Sequence, residues 1–278
     1  MVGLAVVAVL SINYIPVLKV FPETIQVILL QDMKLGLIML IFIIVSVIGA
    51  YMGLESISTI NYLFLPIVGI MMFAFLLLLI PYYDLNNLTP VFGNGFKSLF
   101  FNGTNSLSIF SDIILLNILL PYMENYGEFR KNGFRAITIG GIVVVLIMFA
   151  YCLVYPYPES ENFILPVYQL TRVIHLSSFF SRFETFFQFA WTILMLLYSS
   201  FYLYIISYVW QTTFNLKDNK PLLIPIVMCI FGIAANQGSV MDFIDNEEFF
   251  NYIVYPFSFL LPLLFGLCLR KVEKHEET

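Results

Sequence analysis

Apolar residues fill this chain in long unbroken blocks. Seven stretches, 1–18, 35–54, 56–83, 136–158, 185–216, 221–241 and 249–269, contain no Asp, Glu, Lys, Arg or His. Each reaches the ~18 residues that a helix needs to cross a bilayer core. An eighth, shorter stretch, 107–121, is interrupted by one carboxylate, Asp112. None of the eight alternates with the period of two that a barrel strand requires, so helices are predicted. The fold class that follows is an all-α polytopic membrane protein with eight transmembrane helices. They cover about 2–18, 35–53, 60–82, 107–121, 135–155, 184–211, 221–237 and 249–269 of a single transmembrane domain, 1–278.

Two of these segments carry polar residues where lipid-facing helices would not. The fourth is short, begins among Ser106, Ser108 and Ser111, carries Asp112 and Asn117, and ends at Pro121. Short polar helices at bilayer depth point to transporter-type binding sites, where helix ends coordinate ligands. The sixth places Glu184, Gln188 and Trp191 at i, i+4 and i+7, on one face, with Tyr198, Ser199, Ser200, Tyr202 and Tyr204 further along. That face is expected to line the bundle interior. Ser11, Asn13 and Tyr14 give the first helix a similar polar edge, and Gly49 and Gly53 of the second read as a small-residue packing pair. Between the fifth and sixth segments, Val167, Leu170, Val173 and Ile174 recur at helical spacing. An amphipathic segment over about 166–176 is therefore predicted to lie on the outer face.

Composition agrees. With 60% hydrophobic and 11% charged residues and a mean hydropathy of +0.90, an ordinary soluble domain is excluded. Charge fixes the expected orientation. Eight of the thirteen cations (Arg130, Lys131, Arg135, Lys217, Lys220, Arg270, Lys271 and Lys274) fall on one side, with both termini. Lys19, Lys34, Lys97, Arg172 and Arg182 fall on the other, so the termini are read as cytoplasmic. No basic cluster suggests nucleic acid. His175 and His275 are too far apart to suggest a metal, and Cys152, Cys229 and Cys268 read as packed core thiols. No phosphate loop or nucleophile–base pair points to an enzyme or a cofactor.

The ordered set Pro156-Tyr157-Pro158, Pro166-Val167-Tyr168-Gln169-Leu170-Thr171-Arg172-Val173-Ile174 and Arg182-Phe183-Glu184 through Trp191 resembles the spore germination permease family. So do Phe21-Pro22-Glu23-Thr24, read as following the first helix, and Pro121-Tyr122 at the end of the fourth. That family supplies the B subunit of the nutrient germinant receptors of endospore-forming bacteria. It is similar to amino acid–polyamine–organocation transporters, with ten helices in two inverted five-helix repeats. Only three predicted helices precede the interrupted one, so the resemblance implies that the first two helices are absent and that Met1 is a late start, a truncation or a fragment. It also implies a location in the spore inner membrane, a small nutrient ligand (amino acid, sugar or nucleoside), and an A subunit and a lipoprotein C subunit as partners. A secondary amino acid transporter and an inactive fragment are the alternative readings.

Asp112 leads the candidate ligand-binding residues, with Ser108, Asn117, Gln188 and Trp191 beside it. A charge at bilayer depth costs at least ~2.5–3.5 kcal/mol, so it must face a cavity, pair or take up a proton. Asp112 thus reads equally as a site for a ligand amine or proton and as a cap on a broken helix. Glu184, Arg172 and Arg182, at the outer mouth of the sixth helix, read as an ion-paired group that positions the outer loop or gates it.

Overall fold

Glycine and a few polar caps set the helix boundaries of this chain. The structure, a computed structural model, describes residues 2–89, 95–97, 100, 103–104, 110–123, 125–163, 165–174, 183–236 and 258–260. Helix α1 (Val2–Ile28) runs through Pro16 and Pro22 and extends well beyond the predicted end at 18. Lys19, expected in an outer loop, is inside it and only 5% exposed. Lys19 and Glu23 stand one turn apart, a spacing that a continuing helix accommodates. The Phe21-Pro22-Glu23-Thr24 string is therefore part of the helix, not a segment after it; the Thr24 hydroxyl donates to the Val20 carbonyl at 2.8 Å.

Helices α2 (Leu35–Met52) and α3 (Leu54–Leu79) are separated by Gly53 alone. Its φ of +89° lies in the left-handed region, where glycine has no Cβ to clash. Gly53 thus serves as a turn, and only Gly49 of the predicted pair packs: a Cβ there would collide with the Ser200 side chain. After a 3-10 turn over Ile80–Tyr82, Asp84 caps a second one, Leu85–Leu88, by accepting from the Asn86 N–H. Asn87 then donates its amide to the Leu153 carbonyl at 2.9 Å.

Helix α4 (Ile113–Leu119) has only seven residues and is continued by a 3-10 turn, Leu120–Tyr122. Helix α5 (Tyr126–Val154) begins well before the predicted 135, because Asn125 accepts from the Gly127 and Glu128 N–H groups and caps it there. Arg130, Lys131 and Arg135 are consequently exposed along a helix and not in a loop. Helix α6 (Pro166–Val173) is the predicted amphipathic segment: Leu170 and Thr171 are buried and Arg172 is exposed. Helices α7 (Phe183–Phe214) and α8 (Lys220–Asn236) complete the order, and of the predicted 249–269 only 258–260 is described.

Among the described residues every element is helical. Five helices are long and apolar enough to cross a membrane, and two shorter apolar ones, Ile113–Tyr122 and Lys220–Asn236, accompany them. Helix α7 is central: α1, α2 and α8 pack on it in one apolar core, and its N-terminal end joins α3, α5 and α6 in another. Large side chains also point outward, among them Ile44 and Ile48 on α2, Leu65 and Ile70 on α3, and Ile142 and Val145 on α5. Such exposed apolar bands would aggregate in water and are the surface a bilayer solvates. Cys152 and Cys229 lie on this surface, contrary to the core placement expected. A thiol is apolar enough for either setting, so sequence alone does not distinguish them.

Candidate functional site

The half-length of α4 decides where its carboxylate sits. Asp112 precedes the first residue of α4 but makes no side-chain cap to it. Its two carboxyl oxygens instead accept from α7, Oδ2 from the Tyr198 hydroxyl at 2.7 Å and Oδ1 from the Tyr202 hydroxyl at 3.2 Å. Helix α7 has 32 residues, about 48 Å at 1.5 Å per residue, and both tyrosines fall near its midpoint. Asp112 is thus at mid-depth in the bundle. Helix α4 runs from there to one end, where Tyr122 meets the Tyr204 hydroxyl at 3.0 Å and packs its ring against Tyr208.

Around the carboxylate, the polar edge of α1 meets that of α7. Tyr14 is fully buried, shares a hydrogen bond with Ser199, and stacks on Tyr202 with ring centroids 5.7 Å apart. Ser46 of α2 is buried close by, its hydroxyl donating to the Phe42 carbonyl. Asn13 approaches Tyr202, and its amide nitrogen is buried with no hydrogen-bond partner. An unpaired buried amide costs about 1–3 kcal/mol, a cost removed by a ligand or water that accepts from it. The arrangement gathers carboxyl oxygens, hydroxyls and the Asn13 amide in the bundle interior. That suits binding of a small polar molecule.

The structure divides the other predicted residues into separate groups. Asn117 is five residues along α4, on a different face, and exposed; it does not join Asp112. By the rise along α7 to Tyr198, Gln188 lies roughly 15 Å and Trp191 roughly 10 Å toward the other end of the helix. There they line a cavity of about 170 Å³ with Thr24 and Tyr168. Glu184 is half-buried in the first turn of α7, and the exposed Arg172 holds its guanidinium over the Tyr168 ring. Ser108 and Arg182 lie outside the described residues. Tyr198 and Tyr202 were visible as polar residues of the sixth predicted helix, and their i, i+4 spacing was the signal that both could meet one group. A larger cavity, about 570 Å³, runs beside α4 and α5 with Phe110 and Ile113 in its wall; its lining is apolar and Asp112 turns away from it, toward α7.

The described residues thus form a many-helix membrane-type bundle with a half-length helix and an interior carboxylate. The chain belongs to the Spore_permease family of spore germination proteins, whose model matches residues 3–239. It is 24% identical over 257 residues to the putative spore germination protein YfkT of Bacillus subtilis (strain 168), covering 91% of this chain and 70% of that one. Over 251 residues it is 24% identical to spore germination protein A2 of the same organism, covering 88% and 67%. Spore germination protein KB, also from that organism, is 24% identical over 270 residues, covering 94% and 72%. No solved structure matches the chain.

Proposed function

We propose that this protein is the integral-membrane subunit of a spore nutrient germinant receptor. It senses a small nutrient at the Asp112 cluster and triggers germination from the spore inner membrane, together with an A subunit and a lipoprotein C subunit. The observation that carries the reading is the unpaired Asn13 amide beside a mid-depth carboxylate held by Tyr198 and Tyr202, in a chain of the spore germination family. Asp112 receives a ligand amine or hydroxyl, and Asn13 donates to a ligand oxygen. Binding energy that differs between two packings of α4 on α7 shifts the equilibrium between them. The orientation with cytoplasmic termini follows from the cation distribution.

The half-length helix also favours a second reading, a secondary amino acid transporter, since such helices build substrate sites in transporters. Uptake of labelled amino acid by vesicles containing the protein separates the two. Nutrient-dependent germination without saturable flux supports the sensor. Saturable flux supports the transporter and overturns the sensor reading.

A further inference from the structure

The outer cavity between α1, α6 and α7 has no part in the Asp112 cluster. Its wall is aromatic and aliphatic, from Phe21, Val167, Tyr168, Phe187 and Trp191, with Phe187 and Trp191 stacked at 6.0 Å between centroids and 15° between planes. Among the described residues, Thr24 and Gln188 add polar groups to it beside the Tyr168 hydroxyl. Thr24 already spends its hydroxyl proton on Val20. Gln188 is only 4% exposed, and its amide nitrogen has no hydrogen-bond partner. Among the described residues no charged side chain lines the cavity. A buried donor without an acceptor, in a void of about 170 Å³, is an incomplete hydrogen-bonding site. At ~30 Å³ per water in the liquid, the space also exceeds what one water fills.

We infer that this cavity is a second binding site, for a small uncharged molecule that offers a hydrogen-bond acceptor to Gln188 and a flat apolar face to Trp191. The lack of a counter-charge selects against zwitterions, because an ion taken into an apolar site without a partner loses its hydration uncompensated. A carbonyl-bearing heterocycle and a sugar ring share the required chemistry. Helix α6 covers the site from outside through Leu165–Tyr168, so occupancy holds α6 against the outer ends of α1 and α7.

The test uses the full chain in lipid nanodiscs. The chain has two tryptophans, Trp191 and Trp210, so a Trp210→Phe background makes Trp191 the only tryptophan reporter. Uracil, D-glucose and L-alanine are titrated separately while Trp191 emission is followed. Saturable change with uracil identifies the carbonyl source, and with glucose the sugar source; either supports the site. Gln188→Leu is expected to weaken that binding at least tenfold, and Val167→Phe, which fills the cavity from α6 without adding a tryptophan, to abolish it. Asp112→Asn is expected to leave it unchanged, so loss of the interior site and loss of this one are read separately. No saturable change with either neutral probe means that ordered water fills the cavity and overturns the inference. So does an equal response to L-alanine, or binding that survives both Gln188→Leu and Val167→Phe.

Discussion

Replacing Tyr198 by Phe removes one hydroxyl and keeps the ring, so it isolates a single hydrogen bond to Asp112. That bond is 2.7 Å long, within the usual O–H···O range, whereas the Tyr202 bond, at 3.2 Å, lies beyond it. Hydrogen bonds inside membrane bundles average ~0.6 kcal/mol and reach ~1.7. A short bond to a carboxyl group belongs in the upper part of that range. Tyr198→Phe is therefore expected to destabilise the protein by about 1–1.7 kcal/mol and Tyr202→Phe by about 0.5 kcal/mol. Combining Tyr198→Phe with Asp112→Ala should give a coupling energy of about 1 kcal/mol, since each change alone removes the same hydrogen bond. Chemical unfolding in lipid–detergent micelles measures all four proteins of the cycle. A coupling smaller than ~0.3–0.5 kcal/mol, or a larger loss from Tyr202→Phe than from Tyr198→Phe, would refute the geometry.

Other predictions concern the scaffold. Gly49→Ala forces a Cβ onto Ser200 and should lower stability by about 1–3 kcal/mol. Gly36→Ala meets nothing within 4 Å and should be neutral or slightly stabilising, by up to ~1 kcal/mol, in the same thermal melts. Gly53→Ala, at a φ of +89°, should cost about 1–2 kcal/mol through backbone strain alone, and an unchanged melting temperature would contradict the turn. Asn125→Ala should cost about 0.5–2 kcal/mol and increase hydrogen exchange in the first turn of α5, where two amide groups lose their acceptor. Cys152 and Cys229 should resist a charged maleimide in bilayers, where a lipid-facing thiol is little ionised, and react once the protein is unfolded in denaturant.

The apolar blocks made the long helices legible, because a run without charge has few alternatives at bilayer length. Ends were less legible. Lys19 and Arg130 looked like loop residues, yet each continues a helix: a charge at the margin of an apolar run marks the membrane edge and not the end of the backbone hydrogen bonds. The site was half visible. Asp112 stood out by its cost in hydrocarbon, and the tyrosines of α7 by their spacing. The partnership of Tyr14 with Ser199 joins residues far apart in the chain, which no local pattern encodes. Gln188 and Trp191, read beside Asp112 as candidates, lie apart from it for the same reason. A shared face of one long helix says nothing about which neighbour covers each part of it, and α6 meets its N-terminal part while Asp112, just before α4, meets the middle.

The most direct test of the receptor reading is the nutrient response of spores that carry Asp112→Asn, with the protein's abundance matched to the unaltered form by immunoblot. Loss of spore refractility after nutrient addition is the readout. The account predicts that the substituted spores fail to respond, or need at least tenfold more nutrient. A response at the unaltered rate and concentration would contradict it.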